Sequence, residues 1–401
     1  LSEYFNILAE RGLALNYSTL VGHGNIRASV MGYVDRDPTA DEMLGMKRLL
    51  EEALDAGALG LSTGLIYPPG IYTKPPEIEA LALHGASYRK GKGFVYASHM
   101  RSEGERLLES IAETLEVARV SGARVNISHL KASDRSNWHK AEEAIGLIEA
   151  ARTDGLRVSC DRYPYTASST DLDAVLPAWM YEGGPARELE RLESPEIRAR
   201  LRTECPIDLD KAGVIVVSSV QSAQGRWMVG LTLAAISESL GMDPLEALCK
   251  VLVDEQLRVE AIFHVMSEAN MERFLELPYC MVGSDSSARS FDGITAKGRP
   301  HPRGFGSFPK FLSWWKGPLE EAVRKITGLP AEVFGLEGRG IIKEGFYADL
   351  CVFDPDRVKD RASFDEPFKR PEGMEHVVVN GVISVTKGKS TGQRGGRGLG
   401  P

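Results

Sequence analysis

The chain has 401 residues, 43% of them hydrophobic and 26% charged, and a net charge of −8. That length suits two or three domains, or one large barrel with a smaller partner. The acidic balance and the lack of a long basic run argue against nucleic acid as a partner, and no stretch approaches the ~18 consecutive apolar residues of a membrane span. The five cysteines form no CxxC pair and are odd in number, which points to a reduced, cytoplasmic setting. The chain opens on Leu1 rather than Met, and no signal peptide is visible.

Leu13 to Val21 reads as a buried strand running into the turn Gly22-His23-Gly24-Asn25-Ile26-Arg27. Thr39 then starts a helix, with Glu42 at the spacing of a capping box. Met43, Met46, Leu49, Leu50, Ala53 and Leu54 form its apolar stripe. Ala58 to Ser62 is the next strand, and it opens into a loop from Gly64 to Lys74. A helix over about 77–89 leads to the strand Phe94-Val95-Tyr96-Ala97-Ser98-His99, and a helical pattern over about 105–120 leads to Arg124-Val125-Asn126-Ile127-Ser128-His129. A polar loop over 131–137 and a helix over about 139–152 precede the strand Leu156 to Asp161, which ends in the polar and aromatic loop Arg162 to Thr170. Residues 177–212 read as an exposed helical insertion. Strands at Gly213–Val217, Val259–His264 and Tyr279–Ser284 follow, with helices near 232–240, 244–254 and 268–276 between them.

Strand and helix thus alternate from about residue 13 to 335, and no GxGxxG follows any strand. The alternation favours a (β/α)8 TIM-type barrel over an open doubly wound sheet. After Gly335 the pattern changes to short apolar runs, and Asn380-Gly381 between two of them is a hairpin signal. The expected division is a catalytic barrel over 1–335 and a small β domain over 336–401, with a flexible Gly- and Arg-rich end from about Thr391.

His99 and His129 each close a strand, on either side of one crossover helix. In a parallel barrel those ends share one mouth, where two imidazoles can converge on a metal ion. Spacing alone equally allows ordinary histidines there. Asp285 follows Met281-Val282-Gly283-Ser284 and could take the proton of a metal-activated water, or simply cap the next turn. Lys131 could bind a carboxylate or an oxyanion, or stand solvated. Arg303 could pair with a carboxylate through two nitrogens, and Tyr163 and Ser169 could add hydroxyl donors. His23 beside Arg27 suits a structural role. His84, His139 and His376 lie on helical or exposed patterns, and His264 closes a strand without further signal.

Several runs in order now resemble one family. They are Val21-Gly22-His23-Gly24-Asn25-Ile26-Arg27, Gly60-Leu61-Ser62-Thr63-Gly64-Leu65 with Tyr67-Pro68-Pro69-Gly70, and Ser98-His99-Met100-Arg101-Ser102-Glu103. They continue through Ile127-Ser128-His129-Leu130-Lys131, Asp161-Arg162-Tyr163-Pro164-Tyr165, Gly283-Ser284-Asp285-Ser286 and His301-Pro302-Arg303. The chain resembles the D-aminoacylases, or N-acyl-D-amino-acid deacylases, of the amidohydrolase superfamily. Ala348-Asp349-Leu350 and Val379-Asn380-Gly381 look like part of that superfamily's companion β-sandwich.

The resemblance implies zinc, one or two ions, held by His99, His129 and Asp285. It implies Asp285 as the catalytic proton carrier, and Lys131, Tyr163, Ser169 and Arg303 around the substrate carboxylate. The implied reaction is hydrolysis of a small-molecule N-acyl-D-amino acid to a carboxylate and a free D-amino acid; the D preference comes wholly from the resemblance. One departure stands out. Family members carry an HxH pair on the first barrel strand and a cysteine ligand soon after. No HxH occurs here, and the first cysteine is Cys160. The expectation is therefore a barrel lacking its first strand or strands, whose full metal site needs residues outside this chain. Two other readings are a cyclic amidase of the hydantoinase or dihydroorotase type, for which no convincing metal-bridging lysine is found, and a silent barrel that binds without turnover.

Overall fold

The computed structural model describes residues 1–90 and 93–400. The strands up to residue 282 are β1 (Val21–Gly22), β2 (Gly60–Gly64), β3 (Val95–His99), β4 (Arg124–Ile127), β5 (Val158–Arg162), β6 (Ser168–Asp171), β7 (Ile215–Val220), β8 (Val259–Phe263) and β9 (Cys280–Val282). Six of them form one sheet in the order β1-β2-β3-β4-β5-β9, and every pair in it is parallel. Helices over Ala40–Asp55, Pro75–Tyr88, Leu107–Ser121 and Ala141–Thr153 make the crossovers from β1 to β5. All six strands therefore end at the same face.

Local chemistry accounts for these elements. The Thr39 hydroxyl accepts from the Glu42 backbone at 3.3 Å, and the Glu42 carboxylate accepts from the Thr39 backbone at 2.8 Å. This is the expected capping box, and the helix buries Met46, Leu50, Ala53 and Leu54. They join Leu61, Ile78, Phe94 and Tyr96 in one core. Gly60 is where β2 meets β3 most tightly, since a Cβ there would lie 1.9 Å from the Val95 carbonyl oxygen. Thr39→Ala should lower unfolding stability by about 1 kcal/mol, read by urea denaturation, whereas Thr39→Ser should change it little. Equal loss in both variants would contradict the cap.

Four expectations change. First, Leu13 to Val21 is not a sheet strand; only Val21 and Gly22 enter the parallel sheet. Leu13 and Tyr17 instead bridge to Gly396 and Gly398. Second, the Gly-rich end is consequently not a loose tail. Its glycines permit contact that side chains would block, for a Cβ on Gly396 would lie 2.0 Å from the Leu15 carbonyl oxygen.

Third, β7 and β8 lie outside the parallel sheet. With β6, which forms inside the expected loop Arg162 to Thr170, they make a separate antiparallel sheet in the order β6-β8-β7. A short apolar run states that a strand is buried, not which partner it takes. Fourth, residues 177–212 are helical with an exposed outer face, but their other face is buried. Met180, Tyr181, Leu192, Leu201, Ile207 and Ala212 are buried and pack with β7 and β8.

The C-terminal strands β10 (Leu350–Phe353), β11 (Met374–Val379), β12 (Val382–Thr386) and β13 (Lys389–Ser390) form an antiparallel sheet in chain order. Its hairpin turns at Asn380 and Gly381, with φ of 49° and 82°, the paired positive values that Asn-Gly supplies. Asn16 joins this sheet from the other end of the chain, donating to Asp349 at 3.0 Å and accepting from Asn380 at 2.7 Å. Among the described residues no helix is long and apolar enough to cross a membrane.

Candidate active site and metal centre

β3 delivers His99 as its last residue, while β4 stops at Ile127, two residues before His129. His129 and Asp285 both hold positive φ, 41° and 47°. Side chains rarely adopt that conformation, and it costs about 1–2 kcal/mol per residue. Asp161, at the end of β5, braces the first of these bends. Its carboxylate accepts from the His129 backbone at 2.9 Å and from the Asn126 amide at 2.6 Å. Burial raises the Asp161 carboxyl above its ordinary value.

The His99 and His129 rings stand 4.5 Å apart at 72°. Glu103 joins them, and ligand atoms of the three residues lie within 4.8 Å of one another. His99 Nε2 is buried without a hydrogen-bond partner among the described residues. Burial, with the neighbouring His129 and Lys131, pushes the His99 imidazole down to about 3, so it is neutral at pH 7 with a lone pair to give. An orphaned buried nitrogen is costly unless something bonds it. Two imidazoles, with a carboxylate beside them to orient one ring, suit zinc.

His129 Nδ1 lies 2.8 Å from a Glu103 oxygen and 2.7 Å from Lys131 Nζ. One nitrogen cannot both donate to the carboxylate and accept from the ammonium. A proton on Nδ1 satisfies Glu103 and leaves Nε2 free as a ligand. Lys131 is buried and ion-paired with Glu103. Burial alone would raise the Glu103 carboxyl, but Lys131 and the two histidines outweigh it and hold it well below the usual carboxylate range.

A second group gathers around Asp285. Arg303 forms an ion pair with it at 2.6 Å, out of line for a hydrogen bond. The same guanidinium donates to the Ser169 carbonyl at 3.1 Å and sits 4.6 Å above the Tyr163 ring. Ser169 thus offers its backbone oxygen to Arg303. The Tyr163 hydroxyl is buried and has no partner among the described residues. His301 sets the arginine in place: its Nε2 donates to the Ala167 carbonyl at 2.9 Å, and its Nδ1 accepts from the Arg303 backbone at 3.0 Å.

A cavity of about 270 Å³ joins the two groups, with His99, Glu103, His129, Lys131, Tyr163, Ser169 and Asp285 in its lining. Its far wall comes from the insertion and the second sheet, including Val214, Ile215, Phe263 and the cation Lys211. The other histidines stand elsewhere. His23 is buried against Glu77, which also pairs with Arg27. His84 meets Glu51, His376 meets Thr386, and His264 stacks near Phe364.

Glu103, Asp161 and Lys211 were not singled out from sequence. Asp161 closes a strand as His99 does, so the same signal reached it. Glu103 lies four residues past His99, but no helix spans that interval to give the spacing meaning. Lys211 carries no local signal, because the insertion reaches the cavity only through tertiary packing.

Residues 315–385 match the Amidohydrolase family. A D-aminoacylase from Alcaligenes xylosoxydans xylosoxydans is 35% identical over 409 residues, spanning 99% of this chain and 72% of that protein. An N-acyl-D-glutamate deacylase from the same organism is also 35% identical, over 94% of this chain and 68% of its own length. The crystal structure of an N-acyl-D-glutamate deacylase from Bordetella bronchiseptica, complexed with zinc and a phosphonate inhibitor, matches with a TM-score of 0.82 at 32% identity, covering all of this chain and 75% of that one. A dihydropyrimidinase from Brevibacillus agri matches at a TM-score of 0.54 and 14% identity, over 100% of this chain and 77% of that one, and so shares the fold alone. The fold is therefore an α/β TIM-type barrel with a small antiparallel sheet appended, and the chain belongs to the D-aminoacylase family of the amidohydrolases.

Proposed function

We propose that this protein is a zinc-dependent deacylase that hydrolyses the amide bond of N-acyl-D-amino acids to a carboxylate and a free D-amino acid. The observation that carries the reading is the buried Nε2 of His99, without a partner among the described residues, beside His129 and Glu103 in one cavity with Asp285, which is ion-paired to Arg303. His99, His129 and Asp285 are assigned as ligands of one or two zinc ions, with Glu103 orienting His129. When bound, zinc lowers the pKa of water towards ~7 and polarises the acyl carbonyl.

The chain's own groups do the rest. Asp285 accepts the proton of the attacking water and passes it to the leaving nitrogen. Arg303 offers a planar fork to the amino-acid carboxylate, and the Tyr163 hydroxyl is free to donate to the same group. Lys131 and Ser169 complete the assignment around that carboxylate. Substrate binding then draws Arg303 away from Asp285 and frees the latter for proton transfer. The chemistry is assigned to residues 1–335 and the small sheet to 336–401, a boundary supported by Gly335, which ends the last helix in a left-handed conformation. A cytoplasmic setting is supported by five cysteines that all stand free, and the acidic net charge of −8 speaks against nucleic acid.

Zinc analysis of the chain together with assays on N-acetyl-D-amino acids, their L counterparts and a hydantoin tests the reading. Zinc with D-selective amide hydrolysis is expected. Stoichiometric zinc without hydrolysis would instead identify a silent barrel, and ring opening of the hydantoin alone would identify a cyclic amidase.

Lys211 supplies a further expectation. It lines the cavity and has no carboxylate within 4.0 Å among the described residues. A substrate with an acidic side chain would find its counter-charge there. Lys211→Ala should lower kcat/KM for N-acetyl-D-glutamate about fivefold, a loss of about 1 kcal/mol, and leave N-acetyl-D-leucine almost unchanged. Equal losses on both substrates would remove Lys211 from selectivity.

A further inference from the structure

The opposite end of the parallel sheet holds a second cavity, of about 350 Å³. It opens beside the starts of β4, β5 and β9, away from the histidine-bearing ends. Arg124, Arg152, Arg157 and Arg324 line it, and Tyr279 contributes a ring over which the Arg152 guanidinium stacks at 4.4 Å. The Tyr279 hydroxyl is buried without a partner among the described residues.

What holds the arginines is informative. Each donates to a backbone carbonyl: Arg124 to Glu332 at 3.2 Å, Arg157 to Gly122 at 2.6 Å, Arg324 to Pro278 at 3.3 Å, and Arg152 to Val158. A carbonyl fixes a guanidinium in position without neutralising it. The cavity's single carboxylate is Glu332, which reaches Arg324 at 3.6 Å and is itself 74% exposed. The other three have no carboxylate within 4.0 Å among the described residues. Each guanidinium has five N–H donors and uses few of them here. In a chain of net charge −8, four preset cations around one hollow form a local field of the opposite sign.

We propose that this cavity binds a small phosphate-bearing anion with at least two negative charges. Several planar forks lining one hollow match the oxygens of linked phosphates better than a lone carboxylate, and the volume is that of a small-ligand site. The inference does not rest on the deacylase reading, because no residue is shared between the two cavities.

Calorimetric titration of the full chain with inorganic pyrophosphate and, separately, with ADP tests it. Pyrophosphate is expected to bind, with its Kd weakened at least tenfold in Arg124→Ala and in Arg324→Ala, and weakened further by added salt. Arg157→Gln, at an exposed position, provides a second variant if either alanine form unfolds, and should weaken binding severalfold. Lys131→Ala and Arg303→Ala should leave the Kd unchanged, which separates this cavity from the carboxylate-binding groups of the first. ADP binding tighter than pyrophosphate would identify a nucleotide as the ligand; equal or weaker binding would identify the free anion. No binding of either probe, or binding lost in Lys131→Ala and kept in the arginine variants, would overturn the proposal.

Discussion

Asp285→Asn should lower kcat on an N-acetyl-D-amino acid by about a thousandfold, with KM altered far less. A positioned general base contributes about 10²–10⁴ in rate, so a thousandfold loss corresponds to about 4 kcal/mol of transition-state stabilisation. Asparagine keeps the shape of the side chain beside Arg303, but it takes no proton from water and delivers none to the leaving nitrogen. Steady-state kinetics with zinc analysis of the same sample makes the test. A kcat within tenfold of the parent protein would exclude Asp285 as the proton carrier. A parallel loss of zinc would show that its main service is as a ligand.

His99→Ala should abolish both metal retention and turnover. Changing a residue that merely supports a ligand costs about 10–100-fold in metal affinity, so removing a ligand itself should exceed that. Thermal unfolding gives an independent reading. At a free zinc concentration of a hundred times Kd the parent protein gains about 2.7 kcal/mol, and the variant should gain nothing. The metal-free forms should differ less than an ordinary core truncation would suggest, because the lost group includes an Nε2 without a partner among the described residues. Stoichiometric zinc in the variant, with its stabilisation intact, would remove His99 from the ligand set.

The candidate site was legible where one residue's position carried the signal. His99 closes β3 and His129 follows the end of β4 by two residues, and Thr39 with Glu42 declared a helix start that forms as written. Asn380-Gly381 declared the hairpin. The sequence was silent where the partner decided the outcome. The apolar runs at 213–217 and 259–263 lead into or form strands, yet an apolar run does not distinguish a place in the parallel sheet from a place in the antiparallel one. Leu13 to Tyr17 is apolar as a buried strand is, but its partner is a glycine-rich stretch around Gly396 and Gly398. Glu103 was hidden for a related reason: its meaning comes from Lys131 and His129, which reach it from the loop after β4.

That end-to-end pairing bears on how the protein is made. Asn16 meets Asn380 across 364 residues of chain, and Leu13 waits for Gly396. During synthesis, at about 5–20 residues per second, Leu13 to Tyr17 stays without its partner for roughly 20–80 s. The edge it offers is apolar and open for that time, the condition under which a nascent chain recruits a chaperone or finds a strand on a neighbour. Ribosome pausing shortly before Gly396 should therefore harm the yield of folded protein more than a pause of equal length within the crossover helices, whose contacts are mostly local.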